Sequence, residues 1–261
     1  MIDGVLKSRA VLSLMGEDAA AFLQGIVTQQ VTPGAPLFTA LLTPQGKILF
    51  DFFLVPVDGG YLIDCEAGAA PALLKRLAMY KLRARITLAA AEDLGVYLGP
   101  PQGATWADPR LDRLPARSIA ARREAASVDD AFDALRLAAG VPEFGRDFAG
   151  EQVFLLDVNY DALNAVSYKK GCFIGQEVTS RMKRKGEIRK RTLIARGAGL
   201  AAGAPVLADE SAIGGVLSVR GDAGLVLIRL DRLADARAKG APLTAGAAPV
   251  QIDVPAYLEP A

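Results

Sequence analysis

Apolar residues crowd the chain between Leu37 and Val57 in two runs, LFTALL and KILFDFFLVPV, separated by Thr43-Pro44-Gln45-Gly46. Runs rich in Phe, Val, Ile and Leu around a Pro/Gly turn predict a hairpin of Leu37–Leu42 and Lys47–Val57. Asp58-Gly59-Gly60 supplies the next turn and Tyr61–Cys65 a further short strand. On either side the period changes. Ala19–Val27 carries apolar residues at helical spacing behind the acidic start Glu17-Asp18, and Leu73, Leu74, Leu77 and Tyr80 form one face of a helix over Ala69–Lys81. Arg9–Leu14 alternates weakly as a strand, and Arg85–Ala90 and Leu94–Leu98 read as two more.

Pro100–Pro115 is rich in Pro, Gly and Asp, reads as a loop, and holds the single tryptophan, Trp106. Ser127–Ala139 is the clearest helix: Ser127 can cap it, Phe132, Leu135 and Ala139 line a face, Gly140 ends it and Pro142 blocks its return. After Thr192 the chain turns Gly- and Ala-rich, with short alternating strands at Ala212–Val219, Leu225–Leu230 and Val250–Val254, the pattern of a small β-barrel or sandwich. The fold class expected is α+β, with a ferredoxin-like unit in the middle.

Composition narrows the chemistry. A chain of 261 residues with 51% apolar and 23% charged residues can bury a sizeable core without disulfides or metals. No apolar stretch runs long enough for a membrane-spanning helix, and the first 22 residues lack the apolar core of a secretory signal, so a cytoplasmic location is expected. There is no histidine. Ser-His-Asp and Cys-His catalysis and His-ligated zinc are therefore excluded. Cys65 and Cys172 cannot by themselves close a four-cysteine zinc site or hold a cluster, so no stably bound metal is expected.

A net charge of +1 conceals an asymmetry. Lys169, Lys170, Arg181, Lys183, Arg184, Lys185, Arg189, Lys190 and Arg191 face only Glu177 and Glu187 within Lys169–Arg191, a local charge of +7. Such a segment suits a polyanion, or is simply a solvated basic helix end; it carries no interleaved aromatic platform to stack single-stranded RNA. Within it, KKGCFIGQE sets Cys172 after two lysines and before a turn-to-helix start at Gly175. Cations and a helix start both favour a thiolate, and the flanking glycines allow close backbone approach. Cys172 is the candidate functional thiol; Cys65, in the apolar strand YLIDC, reads as inert core.

Lys169–Glu177, followed by Val178, Ser180 and Arg181, closely resembles the K-G-C-[FY]-x-G-Q-E motif of YgfZ-type folate-binding proteins, relatives of the aminomethyltransferase (T-protein) of the glycine cleavage system. Three other stretches agree in order: Ala20–Thr28 with the family's F-L-Q-G-x-x-T helix, Thr43–Asp51 with its hairpin, and Ala134–Pro142 with its A-L-R-x-x-x-G-x-P helix end. The resemblance implies a three-domain ring: residues 1–36 with 127–190 as a discontinuous folate-binding domain, 37–126 as the ferredoxin-like domain, and 191–261 as a C-terminal β-barrel. It implies tetrahydrofolate, or a one-carbon derivative, as ligand. It assigns Cys172 and Lys170 as the functional pair, and Asp51, Phe132, Arg136, Gly175, Gln176, Glu177 and Arg181 as folate contacts, with Phe132 stacking on the pterin; Arg136 and the Lys169–Arg191 stretch are expected to recognise the ligand's anionic end.

The departures bear on function. T-proteins carry an acidic doublet where this chain has Phe50-Asp51, a pterin-gripping glutamate where it has Ala138, and an Asp where it has Gln30. Those losses tell against aminomethyl transfer. The expectation is an accessory factor for assembly or repair of iron-sulfur proteins, such as tRNA methylthiotransferases, with transient cluster sharing through Cys172. The alternatives are a folate-dependent one-carbon transferase and an RNA-associated scaffold; neither a membrane partner nor direct RNA binding is expected.

Overall fold

The computed structural model describes residues 2–184 and 188–259; Lys185 and Glu187 of the basic stretch lie outside the described residues. The chain divides into two compact units, Met1–Asp133 with Leu163–Gln176, and Ala134–Ala162 with Glu177–Ala261.

The first unit runs β1 (Gly4–Val5), β2 (Arg9–Met15), α1 (Ala19–Ile26), β3 (Leu37–Leu42), β4 (Ile48–Val57), β5 (Gly60–Glu66), α2 (Ala70–Lys81), β6 (Thr87–Ala90), β7 (Leu94–Leu98), β8 (Ala104–Trp106) and β9 (Arg117–Ala121), then enters α3 (Asp129–Ala139). Its main sheet has the order β3-β4-β5-β2-β6, antiparallel throughout. Strand pleating sends alternate residues to opposite faces. One face carries Leu12, Leu14, Phe52, Leu54, Ile63 and Cys65 against Leu23 and Ile26 of α1 and Leu73 and Leu77 of α2. The other carries Arg9, Phe38, Phe53 and Asp64, where Phe53 stands opposite both Phe38 and Asp64. A smaller sheet has the order β1-β7-β9-β8.

The sequence reading drew a domain boundary after residue 36, whereas β2 is hydrogen-bonded between β5 and β6. Leu12 and Leu14 belong to the same apolar layer as Leu54 and Ile63, and that shared burial recruits the strand. The stretch read as a loop contains β8, which pairs with β9.

The second unit takes in the end of α3, most of α4 (Gln176–Arg184), β10 (Lys190–Arg196), β11 (Pro205–Ala208), β12 (Ser211–Arg220), β13 (Ala223–Arg229), α5 (Leu230–Lys239), β14 (Leu243–Ala245), β15 (Ala248–Pro249) and β16 (Gln251–Asp253). Seven strands in the order β15-β14-β11-β12-β13-β10-β16 form the near-closed C-terminal barrel, filled by Leu193, Val206, Ile213, Val216, Val226, Ile228 and Ile252, with Leu233 and Ala236 of α5 packed on them. Helix α5 is absent from the sequence reading. Asn159, at φ 61°, donates from its amide to Thr192 O at 2.7 Å and Tyr257 Oη at 2.9 Å, and Tyr257 donates to Gly140 O at 2.6 Å, which ties residues 140–159 to the barrel.

Candidate functional site

The loop carrying Cys172 is fastened on both sides, and the fastening begins at α1. A helix ends with carbonyls that have no partner within it. Here Lys170 supplies one: its buried ammonium donates to Gln24 O at 2.8 Å, Val27 O at 2.5 Å and Gln29 O at 3.2 Å, using all three of its protons at the negative end of the helix. The same Nζ lies 5.2 Å from the centre of the Phe173 ring. Burial pulls the Lys170 amine down to about 8, which leaves it mostly protonated at neutral pH.

The turn after α1 is held as firmly. Thr28 Oγ1 donates to Ala165 O at 2.6 Å, accepts from Ala40 N at 2.9 Å and lies 3.1 Å from Thr39 Oγ1, while Ser167 N donates to Thr28 O at 3.1 Å. Gln24 Oε1 accepts from Val31 N at 2.8 Å. The Gln and Thr of the Ala20–Thr28 stretch thus organise the seat onto which residues 165–170 fold. Sequence reasoning missed this link because the partners lie 137 to 146 residues apart.

On the far side of the thiol, Phe173 is buried, Ile174 packs on the main core and Gly175 meets the hairpin turn. Gly175 has φ +80°, and a Cβ there would fall 2.7 Å from Thr43 O and 3.1 Å from Gly46 Cα. Only glycine meets both demands. Gly171 and Cys172 stand exposed between these anchors, and α4 begins at Gln176. Cys65 is the opposite case. Its buried Sγ points at Ala10 O, 3.8 Å away, and burial pushes the thiol up to about 12.

The remaining expected site residues are dispersed in kind. Asp51 is buried on β4 opposite Ala40. On α4, Gln176 is half-buried, whereas Glu177 and Arg181 are exposed. Phe132 is buried, with the guanidiniums of Arg117 and Arg110 centred 4.9 and 5.9 Å from its ring. Arg136 is fully buried; it reaches Asp147 at 2.5 Å, Glu143 at 3.5 Å and Val141 O at 3.2 Å. Asp147 also accepts from the Ser218 hydroxyl, while burial pushes its carboxyl upward against the pull of Arg136. Folate needs an open flat slot and a cation for its carboxylates. Neither Phe132 nor Arg136 fits that role, because each side chain is already enclosed by partners.

Of the eight described cations between Lys169 and Arg191, Lys170 and Arg191 are buried; Arg191 pairs with Asp161 at 2.5 and 2.9 Å, and Lys183 approaches the same carboxylate at 3.7 Å. Among the described residues no group of three or more Cys, Asp or Glu is placed to hold a metal ion, and no helix is long and apolar enough to cross a membrane.

Residues 189–260 match the family model described as the C-terminal beta-barrel domain of CAF17. The human iron-sulfur cluster assembly factor IBA57, mitochondrial, is 30% identical over 275 residues, covering 87% of this chain and 77% of that protein. The chain belongs to the IBA57 family. A homologue from Pyricularia oryzae is 32% identical over 215 residues, 72% of this chain and 55% of that protein, and one from Neurospora crassa is 28% identical over 229 residues, 72% and 52% respectively. The chain thus spans about half the length of these fungal IBA57 relatives. The glycine cleavage system aminomethyltransferase T of Bartonella henselae has the same fold, with a TM-score of 0.70 and 16% identity over 98% of this chain and 85% of that one. Both the T-protein-like fold and the IBA57 family agree with the resemblance carried by KKGCFIGQE.

Proposed function

We propose that this chain is an accessory factor in the assembly or repair of iron-sulfur proteins, acting through the thiol of Cys172. The observation that carries the reading is the exposure of Cys172 between two anchored neighbours, in a chain of the IBA57 family. A thiol held this way can lend one ligand to a cluster whose other ligands come from a partner, with little ordering cost on contact. Client proteins of the tRNA methylthiotransferase class, suggested by the resemblance, belong to the same proposal.

Tetrahydrofolate is the proposed ligand on the strength of the KKGCFIGQE resemblance. Its contacts then come from groups other than Phe132 and Arg136, and Gly175, Gln176, Glu177 and Arg181 are the expected ones that keep some exposure.

The decisive experiment is a deletion strain assayed for several iron-sulfur enzymes and complemented with the full chain. Wild type and Cys65→Ser should restore activity, while Cys172→Ser should not, at equal protein levels. Full rescue by Cys172→Ser would overturn the role of the thiol. Calorimetry with tetrahydrofolate tests the ligand separately, and absence of heat at millimolar concentration would remove folate from the reading.

A further inference from the structure

A second charged site lies within the first unit. The turn between β1 and β2 and the segment after β9 enclose a cleft of about 510 Å3 whose walls include Lys7, Arg9, Arg122, Arg123 and Glu124. Its backbone is pinned: Val5 N donates to Ala126 O at 2.9 Å, Leu6 N to Val96 O at 2.9 Å and Arg122 N to Asp93 O. Asp129 accepts from Lys7 N at 2.9 Å and Ser8 N at 3.0 Å and takes the Ser127 hydroxyl at 2.6 Å, so this carboxylate holds the turn backbone and adds one negative charge beside the cleft lining.

The guanidiniums of Arg122 and Arg123 are positioned by neutral groups. Arg122 donates through Nε to Glu92 O at 2.8 Å and through Nη2 to Leu94 O at 3.1 Å. Arg123 donates to the Gln102 side chain and lies 4.7 Å over the ring of Tyr97. No ion pair involves Lys7, Arg122 or Arg123 among the described residues, whereas Arg9 on the same wall is paired with Asp64 at 2.6 Å. Neutral acceptors fix a guanidinium without cancelling its charge, so two oriented guanidiniums and the exposed Lys7 share one concave wall whose lining carries a single carboxylate, Glu124. Concavity focuses that potential, and planar guanidiniums favour phosphoryl oxygens.

We propose that this cleft binds a small linear oligophosphate, a di- or triphosphate group. Its volume is that of a small-molecule site. A nucleic-acid strand calls instead for an extended track with exposed aromatic faces, and Tyr97 is buried here.

Calorimetry of the full chain with inorganic tripolyphosphate at low salt tests the proposal. Wild type should bind, with affinity falling as salt rises. The exposed double variant Lys7→Glu/Arg123→Glu should lose about tenfold or more in affinity, the size expected for two reversed charges at the site. Lys183→Glu/Arg184→Glu on α4 should bind as wild type. Should the double variant unfold, Arg123→Gln carries the same test with a smaller loss. No heat from wild type at millimolar tripolyphosphate, unchanged binding by the cleft variant, or an equal loss in the α4 variant would each overturn it. So would an RNA 12-mer that binds more tightly than tripolyphosphate and loses affinity in the same cleft variant.

Discussion

The ammonium of Lys170 sits 2.5 Å from the carbonyl oxygen of Val27, so the residue two positions before the exposed thiol also closes the end of α1. The loop's conformation and the helix end are therefore one structure. Lys170→Met keeps the length of the side chain and removes its donors, leaving the carbonyls of Gln24, Val27 and Gln29 without that partner. Charged hydrogen bonds of this kind support a loss of about 2 kcal/mol in unfolding free energy. Urea denaturation should show it, and hydrogen exchange should quicken across 171–174. An unchanged midpoint and unchanged exchange would mean the ammonium contributes nothing to the loop.

The same lysine gives a pH signature of defined sign. Burial lowers its amine from 10.5 to about 8, so between those values the unfolded chain binds more protons than the folded one. Stability therefore rises with pH through that window. The full effect is about 3 kcal/mol, taking about 1.4 kcal/mol for each pH unit of the shift. Measured against Lys170→Met to cancel the other alkaline groups, wild type should gain stability from pH 8 towards 10. A gap between the two proteins that is flat or shrinks over this range would contradict the assignment.

The two thiols should differ in reactivity. Cys65 is buried and held up at about 12, so its thiolate fraction at neutral pH is minute; Cys172 is exposed. Iodoacetamide in native buffer, mapped by mass spectrometry, should label Cys172 while leaving Cys65 intact until denaturant is added. Preferential labelling of Cys65 would refute both placements.

Local features of this site were legible in the sequence, and long-range ones were not. The hairpin at Leu37–Val57, the helices at α1 and α2 and the glycine demand after Cys172 each follow from periodicity or from a turn a few residues long. Contact of Lys170 with Gln24 and Val27 depends on tertiary folding, which no local pattern records. Phe132 and Arg136 were expected at a ligand because an aligned position does not reveal what covers a side chain; Arg117, Arg110, Asp147 and Glu143 cover these two. Helix α5 escaped notice because Leu225–Leu230 reads as a strand that simply ends, although Leu230, Leu233 and Ala236 do recur at helical spacing.

Gly175 should tolerate no side chain. Gly175→Ala places a Cβ 2.7 Å from Thr43 O, in backbone that L residues rarely adopt. The strain of that conformation alone is about 1 kcal/mol, and relief of the clash must shift either the hairpin turn or the loop. The variant should be less stable and its Cys172 labelling rate should change, whereas Gly171→Ala, with open space around it, should leave both near wild type. Equal effects from the two substitutions would sink the idea that Gly175 locks the loop onto the hairpin.

The covered face of the main sheet yields an asymmetric prediction. Asp64 binds Arg9 at 2.6 Å and Arg117 at 3.0 Å, while Asp108 binds Arg110 at 2.7 Å and Arg117 at 3.3 Å, all of them buried. Arg117 is shared, and burial weakens its hold on its proton. Its Nη2 also has no hydrogen-bond partner among the described residues. Arg117→Met removes this costly guanidinium and leaves each carboxylate with its own arginine. Asp64→Asn takes a carboxylate from two buried guanidiniums at once, the circumstance in which a broken buried pair costs about 3 to 5 kcal/mol. Asp64→Asn should therefore destabilise the chain by at least twice as much as Arg117→Met in matched chemical denaturation. The reverse order would show that Arg117, and not Asp64, organises the charges behind Phe53 and Phe132.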